Sequence, residues 1–113
     1  MSETLFTKII NRQIPADIVY EDELCLAFRD INPQAPMHVL LIPKQPIPRL
    51  CDASTEDQMI LGHLMCTAPK VAAQDGYEEA FRMVMNNGAD VGQTVFHLHL
   101  HLLGGRPLTW PPG

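Results

Sequence analysis

Three histidines alternate with leucines near the end of the chain, in the segment His97-Leu98-His99-Leu100-His101. On a β-strand successive side chains point to opposite faces, so this spacing predicts that the imidazoles share one face and the leucines the other. Packing on a core explains the leucine face. Stability does not explain the imidazole face, because adjacent histidines repel one another when charged and strands favour Thr, Val or Tyr. The pattern therefore points to chemistry.

Three kinds of chemistry use such a row of histidines. In nucleophilic and acid–base catalysis on a phosphoryl or acyl group, one imidazole attacks while its neighbours position and protonate. Zinc binding suits neighbouring histidines, about 6.6 to 6.8 Å apart along the strand, but not the outer pair, about 13 Å apart. A pH-sensing patch is the third possibility, and a surface strand that merely contains histidines is the fourth. The pattern favours catalysis.

A polar, glycine-bearing loop from Asn86 to Thr94 comes directly before the histidines. Its amide and hydroxyl side chains and flexible backbone are suited to bind phosphate oxygens. Asn87-Gly88 alone is typical of a plain turn. Placed before a row of histidines, however, the loop favours phosphate chemistry.

The rest of the sequence predicts an α+β domain that spans residues 1–113 and places these residues on an antiparallel sheet of about five strands. Thr4 is a suitable cap for a short helix that ends at Ile14-Pro15. A long helix starts at a capping box of Ser54 and Asp57 and ends near Gly76, with a kink or split expected at Pro69. The expected strands are 18–20, 24–28, 38–43, 81–85 and 95–103.

Composition limits the range of functions. The chain has 113 residues, 46% of them hydrophobic, and a net charge of -5. This charge argues against binding nucleic acid, which needs a basic surface, but not against binding one small anion. Cys25, Cys51 and Cys66 form no CxxC pair, so we expect small, buried or half-buried thiols in a reducing compartment. Without a signal peptide or a membrane-length apolar run, a cytoplasmic protein with no membrane partner is expected.

The segment His-Leu-His-Leu-His-Leu-Leu at 97–103 resembles the histidine triad (HIT) motif. The similarity to the Hint branch of this family covers essentially the whole chain. It includes the segments 6–10, 26–36, 38–44 and the ending Trp110-Pro111-Pro112-Gly113. The resemblance implies a HIT-like fold whose sheet continues across a homodimer. It also implies a site for a purine nucleotide such as AMP or GMP, and hydrolysis of nucleoside 5'-phosphoramidates (adenylated amines) without a metal or other cofactor.

The resemblance also assigns roles to four histidines. His99 matches the nucleophile that becomes nucleotidylated, and His101 matches a donor to phosphate oxygen. His97 matches a supporting group, and His38 a fourth histidine that contacts the nucleophile. A nucleophilic imidazole must be neutral at its attacking nitrogen, so we expect an acceptor, such as a backbone carbonyl, at the other nitrogen of His99.

Six further positions match residues that hold the nucleotide. Asp30 and Ile31 match positions at the ribose and the base. The loop around the phosphate and the leaving group corresponds to Asn86, Gly92, Gln93 and Thr94. Thr94 stands where a serine is common, which keeps the hydroxyl and adds a methyl group.

Three other functions remain open at this point. One is a nucleotide-binding or interaction module with vestigial activity, and another is a zinc protein. The third is a dinucleoside polyphosphate hydrolase of a sister branch, which the Trp110 tail and the third histidine make less favoured. We expect Trp110 to be a packing anchor, or to close the pocket of a partner in a dimer.

Overall fold

The chain forms a five-stranded antiparallel sheet with a short helix and a long helix, as the computed structural model, which describes residues 3–113, shows. The helices and strands are α1 (Leu5–Ile10), β1 (Ile18–Glu21), β2 (Cys25–Arg29), β3 (Met37–Pro43), α2 (Gln58–Gln74), β4 (Arg82–Val84) and β5 (Leu100–Gly104). Short 3-10 turns lie at Leu50–Asp52, Thr55–Asp57 and Ala89–Val91. The strand order is β1-β2-β3-β5-β4, and the predicted α+β fold is confirmed.

The two faces of the sheet have different roles. One face packs against α2 through a large apolar core that includes Val39, Leu41 and Leu102. The other face packs against α1 through a smaller cluster centred on Phe6 and Phe28. His38 lies on this second face because it is two residues from Leu40, which belongs to the smaller cluster. His101 lies there too, because it is the residue of β5 that pairs with Leu40. The helix α1 therefore covers the face that carries the histidines.

The short helix starts as predicted but ends sooner. Thr4 and Thr7 form a reciprocal capping box at its first turn. Its last residue is Ile10, and Arg12 lies in the left-handed region with a φ of 61°. The predicted end at Ile14-Pro15 is wrong, because the chain leaves the helical conformation at Arg12 before it reaches the proline.

The long helix is continuous through Pro69, so the predicted split does not occur. Pro69 is exposed, and on this side water can satisfy the carbonyl that loses its backbone partner. The predicted capping box of Ser54 and Asp57 is present, one 3-10 turn before the helix. At the other end Gly76, with a φ of 83°, forms a Schellman motif: its N–H donates to Ala73 and that of Tyr77 donates to Ala72.

The last strand is shorter than predicted. It begins at Leu100 rather than Val95, so His97 and His99 precede it and only His101 lies within it. The N–H of Leu98 donates to the carbonyl of Ile47 (2.6 Å), beyond the end of β3. The histidines thus share a face without all belonging to one strand. Within residues 3–113, none of the helices has the length and apolar character needed to cross a membrane.

Candidate active site

A cavity of about 570 Å³ lies on the histidine face of the sheet, beside α1. His99 and His101 line one part of it, together with Thr94. Its walls are otherwise mainly apolar, and the apolar residues that line it include Leu5, Phe6, Ile9, Ile14, Phe28, Ile31, Leu40 and Val95. Such a cavity suits a ligand with a flat apolar part and one polar end.

His99 is held by a backbone carbonyl, as its predicted role requires. Its Nδ1–H donates to the carbonyl of His97 over 2.8 Å, so the lone pair of the neutral ring is on Nε2. The ring is nearly buried and packs edge-on against Phe6, with 5.0 Å between ring centroids. The imidazole is therefore fixed in position and carries its nucleophilic nitrogen away from the backbone.

His97 supports this arrangement from behind the cavity wall. Its Nε2–H donates to the carbonyl of Pro43 over 2.7 Å, which ties the segment before β5 to the end of β3. The side chain is 1% exposed, and its Nδ1 has no hydrogen-bond partner among the described residues. His97 therefore positions the carbonyl that orients His99 and does not itself reach the cavity.

His101 receives its orientation from His38. The N–H of Gln34 donates to Nδ1 of His38 over 3.0 Å, so neutral His38 carries its proton on Nε2. This Nε2–H donates to Nδ1 of His101 over 2.9 Å, which leaves His101 with an N–H on Nε2. The hydrogen-bond partner of His38 is thus His101, whose ring centroid lies 5.1 Å from that of His99, the predicted nucleophile.

Burial keeps all four imidazoles neutral near pH 7. It lowers the pKa of His38, His97 and His99 below the ordinary histidine value, and the nearby Asp30 carboxylate opposes this effect at His38 and His99. At His101, burial and the two neighbouring imidazoles lower the pKa to about 4. The site therefore presents a neutral imidazole with a free lone pair, His99, beside a neutral imidazole with a free N–H group, His101.

Asp30 and Ile31 line the same cavity, next to the histidines. Asp30 also begins the turn after β2, where one carboxylate oxygen accepts from the N–H of Asn32 (2.8 Å) and the other lies 3.5 Å from Nε2 of His38. The Ile31 side chain is 100% exposed, so an apolar surface is available at the mouth of the cavity.

The loop from Asn86 to Thr94 uses many of its polar groups internally. The buried Gln93 side chain accepts from the N–H of Gly88 and donates to the carbonyls of Pro48 and Val95. The N–H groups of Gly92 and Gln93 also donate within the loop. Gly92 has a φ of 107°, a conformation that glycine adopts without strain. Gln93 and Gly92 therefore shape the loop. Of the four loop residues predicted for the site, Thr94 lines the cavity, whereas Asn86, Gly92 and Gln93 do not.

Among residues 3–113, two groups of side chains have donor atoms close enough to hold a metal ion. In the first, Asp30, His38 and His101 offer atoms within 4.8 Å of one another. However, both ring nitrogens of His38 and Nδ1 of His101 already take part in hydrogen bonds. A metal would have to displace the His38–His101 hydrogen bond, so the arrangement fits proton donors better than ligands.

The second group is Asp22, Cys25 and His63, far along the sheet from the cavity. Asp22 accepts from two backbone N–H groups, from the Tyr20 hydroxyl and from His63 (2.7 Å). Burial raises the pKa of the Cys25 thiol to about 12. These residues form a satisfied hydrogen-bond cluster that ties α2 to the turn between β1 and β2.

Sequence reasoning missed two kinds of site residue. The apolar wall from α1 carries no chemical signal, and only its helical spacing marks it as a packing surface. Gln34 acts through its backbone N–H, which side-chain identity cannot reveal.

The predictions of burial hold only in part. Cys51 and Cys66 are exposed, so their predicted burial is wrong, whereas Cys25 is buried as expected. Trp110 is 81% exposed and is no packing anchor within the chain.

Comparisons with known proteins show the family to which the chain is similar. The family model of the HIT domain matches residues 11–108. A HIT-like protein of Synechocystis sp. is 67% identical over 98% of this chain and 97% of its own length. The purine nucleoside phosphoramidase of Escherichia coli is 53% identical over 94% of this chain and 90% of its own. A crystal structure of a HIT family hydrolase from Legionella pneumophila superposes with a TM-score of 0.95 at 48% identity, covering 98% and 100% of the two chains.

Proposed function

The chain belongs to the HIT family, and on this premise we propose that it hydrolyses purine nucleoside 5'-phosphoramidates through a nucleotidyl intermediate on His99. The observation that carries the proposal is the hydrogen bond from His99 Nδ1–H to the His97 carbonyl. It leaves a neutral, oriented Nε2 beside a cavity, which is what a nucleophilic imidazole requires. The phosphoramidase from Escherichia coli, at 53% identity, supports the choice of substrate class.

The cavity suits the parts of such a nucleotide. The purine packs between the apolar wall and Ile31, whose exposed side chain is free to stack on a base. The carboxylate of Asp30 accepts hydrogen bonds from the ribose hydroxyls. This places the α-phosphate beside His99 and His101, with the Thr94 hydroxyl near the phosphate and the leaving amine.

The reaction then proceeds by two displacements at phosphorus. The Nε2 lone pair of His99 forms a bond to phosphorus, the phosphorus–nitrogen bond to the amine breaks, and the amine takes up one proton from solvent. Water then attacks phosphorus and loses one proton to solvent, the bond to His99 breaks and returns the lone pair to Nε2, and the nucleoside monophosphate leaves. The Nε2–H of His101 donates to a nonbridging oxygen, where charge develops in both transition states.

The proposed assembly is a homodimer. The outer side of α2 is apolar and exposed, with Met59, Met65, Cys66 and Pro69 along it. The strand β4 is an edge of the sheet, with β5 as its neighbour among the described strands. A second copy that covers both features would remove an exposed apolar surface and an open strand edge. The proposed compartment is the cytoplasm, where reducing conditions preserve free thiols.

Replacing the proposed nucleophile tests the activity. We expect His99→Ala to lower the rate on adenosine 5'-phosphoramidate at least about 10³-fold, as removal of a nucleophile does. AMP binding, measured by calorimetry, should persist, because the apolar wall and Asp30 remain. Turnover at the wild-type rate by this variant would contradict the proposal, and tight AMP binding without turnover by the wild type would favour a binding module.

A further inference from the structure

A second cavity of about 440 Å³ lies beside the proposed nucleotide site. Asp17, Arg29 and Asp30 line both cavities, so these three side chains form the boundary between them. The second cavity continues around the end of the sheet to His38 and Asp75. A ligand that contacts Asp30 from the first cavity can therefore extend into the second.

The second cavity is acidic. Three carboxylates and one guanidinium line it, and Asp75 binds that guanidinium, Arg29, in a bidentate pair (2.5 and 2.9 Å). No Lys or Arg within residues 3–113 lies within 4.0 Å of the carboxylates of Asp17 or Asp30. His38, 3.5 Å from Asp30, is kept neutral by burial. The cavity thus holds two carboxylates without a direct cationic partner, although the charge of the exposed Asp17 also acts on the Arg29 guanidinium.

We propose that this second cavity is a subsite for a cationic group carried on the 2' or 3' position of the nucleotide ribose. The inference rests on the proposed function, because it requires the ribose hydroxyls to bind Asp30. Hydroxyls that donate to a boundary residue direct the 2',3' edge of the sugar toward the second cavity. A short amine-bearing substituent there, such as an aminoacyl group, would place its ammonium between Asp17 and Asp30. The substrate class then includes nucleotides aminoacylated on the ribose.

Matched ligands test the subsite by calorimetry. The ligands are AMP and two 3'-deoxy analogues of it that carry either a 3'-acetylamido or a 3'-glycylamido group. The two analogues share an amide N–H and nearly the same size, and only the glycyl compound carries an ammonium. We expect the glycyl compound to bind the wild type about fivefold more tightly than the acetyl compound at low salt, which is typical of a partly screened ion pair. The ratio should fall as salt is added.

Two variants locate the effect. Asp17→Asn keeps the size of the side chain and the backbone carbonyl that accepts from Arg29 (3.0 Å), and should bring the ratio close to one. Glu23→Gln removes an equal charge at the opposite end of β2 and should leave the ratio unchanged. A ratio near one in the wild type, or an undiminished ratio in Asp17→Asn, overturns the subsite. Both analogues binding more than tenfold weaker than AMP also overturns it, whereas failure of AMP itself to bind overturns the proposed function.

Discussion

His99 and His101 face the same cavity but carry their protons on different ring nitrogens. The carbonyl of His97 fixes the proton of His99 on Nδ1, and His38 fixes that of His101 on Nε2. A backbone group begins each of these chains of hydrogen bonds, so the fold determines which ring nitrogen of each neutral imidazole carries the proton. One imidazole thereby presents a free lone pair and its neighbour an N–H group, as the proposed nucleophile and the proposed donor require.

The pH dependence of the reaction follows from the lowered pKa of these groups. Because burial lowers the pKa of His99, its neutral form persists below the ordinary histidine value of about 6.5. We expect kcat/KM on adenosine 5'-phosphoramidate to fall as the pH is lowered, with an apparent pKa below 6.5, as His99 becomes protonated. A profile measured from pH 4 to 9 checks this. A loss of activity with an apparent pKa at or above 6.5 would contradict it.

The residue types of the site could be predicted from the sequence, but their partners could not. The alternation at 97–101 and the match to a known motif identified the histidines. The groups that orient them are the carbonyls of His97 and Pro43 and the N–H of Gln34. Every residue has such groups, so only the folded backbone reveals which of them are used.

At the scale of elements, the loop after β2 and the end of β5 together hold His38. Gly105 follows β5 and packs on Pro36, and the Arg106 side chain donates to the carbonyl of Gln34 over 2.9 Å. The N–H of Gln34 in turn orients His38. The junction after β5 is therefore part of the support of the active site.

Two glycines at positive φ allow strain and crowding to be separated. A Cβ at Gly105 (φ 96°) would lie 2.8 Å from Pro36 and from the Tyr77 hydroxyl, whereas one at Gly76 (φ 83°) would meet nothing within 4 Å. Both alanine variants should lose stability, since L-residues disfavour this conformation. We expect Gly105→Ala to lose about 1–3 kcal/mol more than Gly76→Ala, as measured by urea unfolding. Equal losses would show that the contacts at Gly105 do not matter.

The sequence predicted the existence of the elements better than their limits. Histidines and leucines alternate from 97 to 102, but the pairing with β3 begins only at Leu100, opposite Leu41. Pro43, which ends β3, has no N–H to donate, and a proline-rich stretch follows it. His97 instead donates to Pro43. The pattern within one segment cannot show where its pairing with the neighbouring strand begins, which is why the predicted strand was too long.

At the scale of the molecule, the net charge of -5 does not oppose the binding of a single nucleotide. In the proposed complex local donors bind the phosphate, whereas a polyanion needs an extended basic surface. The same scale shows the exposed apolar side of α2 and the open edge of β4, which a single copy leaves uncovered. The family resemblance implies the dimer, whereas the composition and periodicity of one chain do not show which of its surfaces a second copy covers.

The proposed homodimer predicts the mass of the protein in solution. Light scattering after gel filtration should give twice the chain mass of 12.6 kDa. Met65→Glu places a charge on the exposed apolar side of α2, where Met65 is 53% exposed, and should shift the protein toward the monomer. Gln13→Glu adds the same charge to the exposed turn after α1 and should leave the dimer intact. A wild-type mass of one chain would contradict the dimer.

The covalent intermediate on His99 is the central claim, and mass spectrometry after an alkaline quench, which preserves the acid-labile phosphorus–nitrogen bond, tests it most directly. Wild-type protein mixed with excess adenosine 5'-phosphoramidate and quenched within one turnover should gain the mass of one adenylyl group. Digestion should place that group on the peptide that contains His99, and His99→Ala should acquire none. Full turnover without any adduct, or an adduct on a different residue, would contradict the account.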